Sequence, residues 1–252
     1  MHKHKTNYLF RDLYSLMCVS VLQKIPTGCK TLDKALEGGI PTKSLTLVYG
    51  EAETGKTTLA MQTVVNCAMQ GYKTLFIDCD ETFSSRRLSQ IAVGRLNEIA
   101  ELIILMKPRS FQEQIYVVDH LGDYVTKHFG LVVIDTVTSL YSARIAENPQ
   151  KTFELNRELN KQMGLLAQLA KTNKIAVLVT SQVRSAFEEG YVSVEPVATR
   201  VLKFWAETII AMKPTENPKI IRAVIEKGSK APQRCDCLLQ IREIGLSDVI
   251  KS

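Results

Sequence analysis

Residues 50–57 read Gly50-Glu51-Ala52-Glu53-Thr54-Gly55-Lys56-Thr57, the complete pattern G-x-x-x-x-G-K-[ST]. The preceding run, residues 44–49, is rich in apolar and β-branched residues, as a buried parallel strand is. The following run, residues 58–68, has apolar residues at helical spacing. A strand, a glycine-containing loop and a helix in this order form the context in which the pattern binds phosphate. The sequence therefore predicts a nucleotide-binding loop within an α/β domain.

The chemistry of this loop follows from its residue types. Glycines let backbone N–H groups turn onto phosphate oxygens at a helix N-terminus, which favours anions. Lys56 is expected to reach the β- and γ-phosphates, and the Thr57 hydroxyl is expected to ligate a magnesium ion. The predicted cofactors are ATP and Mg²⁺. The predicted nucleotide-binding residues are Gly50, Glu51, Ala52, Glu53, Thr54, Gly55, Lys56, Thr57 and Thr58.

A second carboxylate for the metal is predicted at Asp135. The run Leu131-Val132-Val133-Ile134 is continuously apolar and ends at this aspartate. Nucleotide-binding sites of this kind hold Mg²⁺ with a loop hydroxyl and with an acid at the end of a neighbouring strand. The alternative is that Asp135 caps a helix after a buried strand, a position that aspartate also favours. The presence of the phosphate-binding loop favours the metal-binding role.

Length and composition are those of one α/β domain. The chain has 252 residues, 45% of them hydrophobic, which suffices for one large core and is too short for two generous domains. We expect an N-terminal extension over residues 1–24 and a nucleotide-binding core over residues 25–252. Because Met17 stands shortly before the turn Pro26-Thr27-Gly28, residues 1–16 are a candidate extension of the gene model.

Charge and cysteine content bear on partners and compartment. The formal net charge of +6 permits a nucleic-acid partner but is also common in proteins without one. The six cysteines include no C-x-x-C pair, so we expect reduced thiols in a cytoplasmic protein. The apolar stretch at residues 13–22 is shorter than the roughly 20 residues that span a bilayer, and no membrane partner is predicted.

Strand-like and helix-like segments alternate along most of the chain. After residue 208, three strand-like runs follow one another without helices, which favours antiparallel strands at the C-terminal end. We expect an α/β fold with a mostly parallel central sheet flanked by helices. The predicted strands are 44–49, 74–78, 102–106, 131–134, 175–180, 208–212, 220–226 and 237–243, and the predicted helices are 58–68, 86–100, 111–127 and 153–172.

Several motifs, taken in chain order, resemble the ATPase core of the RecA/RadA recombinases. The resemblance covers about residues 25–245 and implies the RecA-type P-loop NTPase fold. Because the chain lacks room for the N-terminal helical DNA-binding domain of full RadA recombinases, it most resembles the short archaeal branch, RadB. Besides the phosphate loop and the strand that ends at Asp135, the matching motifs are Pro26-Thr27-Gly28 with Leu32-Asp33, Gly38-Gly39-Ile40-Pro41, Asp78-x-x-x-Thr82-Phe83, Arg87-Leu88 and Ser181-Gln182-Val183.

The resemblance implies a catalytic carboxylate shortly after residue 78. In the family a glutamate at this place orients the attacking water; the matching position is Asp80, and Glu81 stands where the family usually has glycine. A shorter side chain predicts slow hydrolysis, because a misplacement of about 1 Å can cost on the order of 100-fold in rate. One alternative is that Glu81 takes over, in an acidic pair like that of the KaiC branch. The other is that both acids are solvated loop residues.

The resemblance also assigns a role to Gln182. Its match in the family senses the γ-phosphate and relays its presence to a DNA-binding loop. Gln182 follows a predicted buried strand, where open α/β sheets place ligand contacts. The predicted catalytic residues are therefore Lys56, Asp80, Glu81 and Gln182.

Two predicted loops are candidate DNA contacts. The first follows Tyr141 and contains Arg144 and Lys151; the second runs over residues 184–200 and contains Arg184 and Arg200. Acidic residues in the second loop weaken this assignment, since binding along a phosphate backbone depends on clustered Lys and Arg with aromatic stacking. The alternative is that these basic residues are solvated side chains on surface loops and contact no DNA. The resemblance also covers the basic turn at residues 227–230. In the family's filaments this turn faces the ATP of the neighbouring subunit; the alternative interpretation is that it is only a charged hairpin.

These features together imply a weak, DNA-dependent ATPase that assists homologous recombination and DNA repair. The expected partners are single-stranded DNA, a RadA-type recombinase, or both. Residues 8–13 are a candidate oligomerisation peptide, but they lack the F-x-x-A pattern, which favours binding to another recombinase over self-polymerisation. Two alternatives stay open: an adaptor that binds ATP without hydrolysing it, and a KaiC-like regulatory ATPase or autokinase.

Overall fold

A nine-stranded sheet forms the centre of the molecule. The structure is a computed structural model that describes residues 22–188, 191–228 and 235–249, with the backbone alone for residues 184–188 and 191–196. The sheet has the strand order β13-β12-β11-β10-β3-β7-β6-β4-β5. The six strands from β10 to β5 pair in parallel, and β11, β12 and β13 add antiparallel strands. The predicted RecA-type α/β architecture is confirmed.

The central strands are buried on both faces, as their apolar sequences require. Every residue of β3, β6 and β7 is buried, and alternate side chains enter the two opposite cores; Leu131 and Val133 face one core, Val132 and Ile134 the other. The strands are β1 (Lys24–Ile25), β2 (Ile40–Pro41), β3 (Ser44–Gly50), β4 (Lys73–Asp78), β5 (Ile103–Met106), β6 (Phe129–Asp135), β7 (Ala176–Ser181), β8 (Val183–Glu188), β9 (Tyr191–Pro196), β10 (Thr208–Pro214), β11 (Ile220–Lys227), β12 (Cys235–Arg242) and β13 (Gly245–Asp248).

Helices cover both faces of the sheet. On one face α2 and α3 pack over the strands, and on the other α5, α8 and α9 do so. No helix in the described part of the chain combines the length and apolar character needed to cross a membrane. The helices are α1 (Lys30–Ala35), α2 (Lys56–Met69), α3 (Ser85–Ile91), α4 (Leu96–Ile99), α5 (Phe111–Asp119), α6 (Leu121–Tyr124), α7 (Ser139–Glu147), α8 (Thr152–Asn173) and α9 (Thr199–Trp205), with 3-10 turns at Ala100–Leu102 and Pro149–Lys151.

Two predicted helices are interrupted. The helix predicted over residues 86–100 is broken between α3 and α4, where Val93 and Gly94 both have positive φ, at 48° and 79°. A left-handed backbone cannot continue a right-handed helix. The helix predicted over residues 111–127 is divided at His120, and its second part ends at Tyr124.

Both predicted DNA-contacting loops contain regular structure, so their description as loops is wrong. The first is helix α7 followed by a 3-10 turn, because Tyr141 and Ile145, four residues apart, pack against the core at helical spacing. The second contains the antiparallel hairpin β8–β9 and the first residues of α9.

The C-terminal hairpin, β12–β13, is hydrogen-bonded to α2, the helix that follows the phosphate loop. The Gln62 side chain on α2 accepts a hydrogen bond from Leu246 N at 2.8 Å and donates one to Leu246 O at 3.0 Å. Leu246 also lies against the loop itself, since a methyl group added at Gly55 would meet its Cδ2 atom at 3.3 Å. The last strand therefore supports the loop from outside the parallel part of the sheet.

Candidate nucleotide-binding and hydrolysis site

The phosphate loop lies between the end of β3 and the start of α2. A side chain at Gly50 would be impossible without backbone movement, because a Cβ there would lie 2.1 Å from the Met212 carbonyl oxygen. Gly55 has φ of 83° and stands immediately before α2, whose first N–H groups lack intrahelical partners. Thr54 fixes the bend by donating its hydroxyl to Glu51 O at 2.8 Å. The loop is thus shaped to place helix N–H groups around an anion.

Lys56 lies inside the loop. Its ammonium donates to the carbonyl oxygens of Gly50 at 2.9 Å and Glu51 at 2.6 Å. Burial lowers the pKa of Lys56, while the carboxylates of Asp135, Asp80 and Glu51 act in the opposite direction. The side chain therefore holds a desolvated charge that triphosphate oxygens could stabilise better than two neutral carbonyls.

Asp135 and Thr57, the two predicted magnesium ligands, are in contact. Asp135 ends β6, is fully buried, and accepts hydrogen bonds from the hydroxyls of Thr180 and, at 3.4 Å, Thr82. Burial raises the pKa of Asp135, the nearby hydroxyls of Thr180 and Thr57 lower it, and the neighbouring carboxylates of Asp80 and Asp78 raise it further.

This donor set fits magnesium. A carboxylate and a hydroxyl are hard oxygen ligands, and Mg²⁺ is commonly bound by one or two such groups together with substrate phosphates and water. The buried negative charge would also be stabilised by a cation. Within the described ranges, no group of three or more His, Cys, Asp or Glu side chains forms a metal cluster.

Asp80 and Gln182, both predicted as catalytic residues, are joined directly. The Asp80 Oδ2 atom accepts from Gln182 Nε2 at 3.3 Å and from Thr136 Oγ1 at 3.2 Å, and its Oδ1 atom accepts from the Ser139 hydroxyl. These contacts connect the carboxyl ends of β4, β6 and β7 behind the phosphate loop. Thr136 and Ser139 were not predicted; their positions one and four residues after Asp135 indicate that they lie at this edge of the sheet, but not which acid they contact.

Glu81 lies apart from this network. Its side chain is exposed, its φ is 55°, and among the described residues no other side chain forms a hydrogen bond or ion pair with its carboxylate. Of the two adjacent acids, Asp80 is the one that the fold brings to Gln182.

The residues predicted to contact DNA lie on different elements. Arg144 lies on α7 and forms an exposed ion pair with Glu147 at 2.9 Å, and Lys151 ends the following 3-10 turn. Arg200 lies on α9 and lines a cavity of about 560 Å³ with Tyr141 and other residues of α7 and α8. The side chain of Arg184 lies outside the described part of the structure.

Two further sequence features are only partly visible. In the basic turn, Lys227 donates to Ala206 O at 2.6 Å, whereas residues 229–230 lie outside the described residues. The described cysteines are free thiols, with Cys235 exposed and Cys29, Cys67, Cys79 and Cys237 buried.

Comparisons with known proteins agree with this geometry. The sequence model of the Rad51 family matches residues 19–249. The DNA repair and recombination protein RadB of Methanococcoides burtonii is 31% identical over 227 residues, covering 90% of this chain and 99% of that protein. The protein of the same name from Thermococcus onnurineus is 34% identical over 229 residues, covering 90% and 98%.

A solved structure gives the same result in three dimensions. The crystal structure of the RadB recombinase superposes with a TM-score of 0.76 at 32% identity and covers 90% of this chain and 100% of that one. Proteins of the Rad51 and RecA families bind nucleotides, as the loop predicts. The chain therefore belongs to the Rad51 family of RecA/RadA-type proteins and is RadB-like within it.

Proposed function

We propose that this protein is an ATP-binding recombination protein that hydrolyses ATP slowly. It would assist homologous recombination and DNA repair in the cytoplasm by binding single-stranded DNA, the main recombinase, or both. The observation that carries the proposal is the hydrogen bond between Asp80 and Gln182, next to the contact between Thr57 and Asp135. A water-positioning acid, a sensor side chain and a metal-binding pair then share one site.

Each residue has a defined part in this chemistry. The loop N–H groups and Lys56 would bind the β- and γ-phosphates and neutralise charge that develops as the terminal phosphoryl group is transferred to water. Thr57 and Asp135 would hold Mg²⁺, which supplies further neutralisation of phosphate charge when bound. Asp80 would orient the attacking water, and Gln182 would report the presence of the γ-phosphate through its hydrogen bond to Asp80.

The same contacts support a low rate. Both oxygens of Asp80 already accept hydrogen bonds, so a water molecule competes with the hydroxyls of Ser139 and Thr136 for the carboxylate. Aspartate is also one methylene shorter than glutamate, and positioning errors of about 1 Å reduce rates on the order of 100-fold. We therefore expect turnover that rises when DNA binding changes the position of Gln182.

The test is ATP hydrolysis by the purified protein with and without single-stranded DNA, at low and moderate salt. Lys56→Ala removes the phosphate-binding ammonium, and Lys73→Ala, an exposed lysine at the opposite end of the sheet, is the matched control. The proposal is supported if DNA stimulates hydrolysis by the wild type, if the Lys56→Ala variant has no activity, and if the Lys73→Ala variant keeps the wild-type activity. Equal phosphate release by wild type and Lys56→Ala would refute it.

A second candidate function is an adaptor that uses ATP only as a structural ligand. The three protein donors to the Asp80 carboxylate favour it, because they leave at most one of its four acceptor sites for water. This candidate predicts tight binding of ATP with no turnover above that of Lys56→Ala, with or without DNA.

A further inference from the structure

A buried acid lies behind the loop that carries Asp80. Asp78 is the last residue of β4 and its side chain is fully buried. Its Oδ1 atom accepts from the backbone N–H of Thr82 at 3.0 Å, and its Oδ2 atom accepts from that of Phe83 at 3.1 Å. Asp78 thus closes a short ring of backbone whose interior residues are Cys79, Asp80 and Glu81.

The cation that Asp78 contacts comes from the edge of the sheet. Lys107 directly follows β5, and its Nζ atom lies 3.4 Å from Asp78 Oδ2. The parallel register pairs Ile77 with Met106, which places the next residues of the two strands, Asp78 and Lys107, side by side. A carboxylate that is fully buried needs such a partner, because removing one member of a buried ion pair leaves an uncompensated charge.

The other side of the ring is fixed by the metal-binding strand. The backbone N–H of Cys79 donates to Asp135 O at 2.8 Å, and Asp78 is in register with Asp135 across β4 and β6. The backbone on both sides of Asp80 is therefore held in place: Cys79, before it, is bonded to β6, and Thr82 and Phe83, after it, are bonded to the Asp78 carboxylate. Within the described residues, neither Asp78 nor Lys107 forms a hydrogen bond or an ion pair with the phosphate loop.

We propose that Asp78 and Lys107 are positioning residues that hold the Asp80 loop in the geometry that orients the attacking water. This role rests on the proposed hydrolysis of ATP. Without the Lys107 charge, the Asp78 carboxylate would be drawn toward solvent and away from the N–H groups of Thr82 and Phe83. Asp80 would then move while the phosphate loop, Thr57 and Asp135 keep their places.

The experiment compares Lys107→Met, Asp78→Asn and the double variant with wild type. Lys107→Arg is the conservative variant, and Lys73→Met, an exposed lysine at the other end of β4, is the matched control. For each protein, kcat and KM for ATP are measured, together with affinity for ADP and the exchange rates of the Thr82 and Phe83 amide hydrogens. Melting temperatures allow kcat to be expressed per folded molecule.

We expect Lys107→Met to lower kcat roughly 10- to 100-fold, as for a displacement of up to about 1 Å. KM and ADP affinity should stay within about twofold of wild type, because the variant keeps the phosphate-loop contacts that bind the nucleotide equally in the ground state and the transition state. The two amides should exchange faster, Lys107→Arg should restore most of kcat, and the double variant should be no slower than Asp78→Asn, since the two residues act as one unit.

Three results would overturn the inference. The first is that Lys107→Met has the same kcat and amide exchange as Lys73→Met. The second is that Lys107→Met has a lower melting temperature but an unchanged kcat per folded molecule, and the third is that the reductions in kcat of the two single variants multiply in the double variant. If the wild-type protein does not hydrolyse ATP, the proposed ATPase activity is refuted, but the role of Asp78 and Lys107 in holding the loop is not. Amide exchange then decides alone whether Lys107 and Asp78 hold the loop: faster exchange in Lys107→Met supports this, and control-like exchange refutes it.

Discussion

Replacing Asp80 by asparagine should separate catalysis from folding. Asparagine has the shape of aspartate but offers one acceptor oxygen and one NH₂ group. If its oxygen takes the Oδ2 position, it keeps the hydrogen bonds from Gln182 and Thr136. Its NH₂ group then faces the Ser139 hydroxyl, which can rotate to accept a hydrogen bond. We therefore expect the free energy of unfolding to change by less than about 1 kcal/mol.

The effect on hydrolysis should be much larger, because the substitution removes the charge that we propose orients water. Hydrogen bonds to charged groups contribute about 1.5–3 kcal/mol, more than those between neutral groups. A loss of about 2–3 kcal/mol in the transition state corresponds to a kcat that is roughly 30- to 160-fold lower. Glu81→Gln should leave kcat within about twofold, because the Glu81 carboxylate is exposed and lies outside the hydrogen-bond network of Asp80.

The assay is steady-state ATP hydrolysis at saturating Mg²⁺, with urea unfolding of each variant measured in parallel. A kcat of Asp80→Asn equal to that of wild type would show that Asp80 does not position the water. A larger loss in Glu81→Gln than in Asp80→Asn would transfer that role to Glu81. Equal losses in both would refute the assignment to a single acid.

Three further predictions address the scaffold of the site. Gly50→Ala should destabilise the protein by about 1–3 kcal/mol in urea unfolding, because its Cβ would lie 2.1 Å from a β10 carbonyl oxygen; Gly122→Ala, with nothing within 4 Å of its Cβ, should not. Asp135→Asn should abolish stabilisation by Mg²⁺ yet raise the melting temperature of the metal-free protein at neutral pH. Burial raises the pKa of Asp135, so wild-type stability falls as pH rises from the ordinary carboxyl pKa of about 3.9 through the raised pKa; a melting temperature with the same pH dependence in the variant would contradict this. In native protein near pH 8, Ellman's reagent should modify exposed Cys235 faster than Cys67, whose pKa burial raises to about 12; equal rates measured by mass spectrometry would contradict the burial.

Local sequence signals predicted the parts of the site that depend on one strand and its loop. The phosphate loop, Asp135 and Gln182 each follow a strongly apolar strand, and a parallel sheet brings the carboxyl ends of such strands to one edge. The hydrogen bonds that Asp80 receives from Thr136 and Ser139 could not be predicted in the same way. They depend on the relative positions of β4 and β6, which strand pattern alone does not specify.

Errors in the fold have a similar origin. The apolar spacing of residues 86–100 continues through Val93, so the left-handed backbone at this β-branched residue has no signal except the glycine that follows it. Helix α7 was missed because it is short, and a short helix is stabilised by tertiary packing, here of Leu140 and Ile145 against the core, more than by its own sequence. For α7, packing against the core therefore decided the structure against the local pattern.

The nucleotide-free site contains two charges that its own residues stabilise incompletely. Burial lowers the pKa of Lys56 and raises that of Asp135, so each charged form is disfavoured by the loss of water. Triphosphate oxygens would stabilise the Lys56 ammonium, and Mg²⁺ would stabilise the Asp135 carboxylate. Because Thr57 and Asp135 would hold Mg²⁺ together with phosphate oxygens, each ligand would supply part of the other's binding site. We therefore infer that metal and nucleotide bind cooperatively, and that Asp135→Asn weakens ATP binding in Mg²⁺ while leaving binding in chelator unchanged.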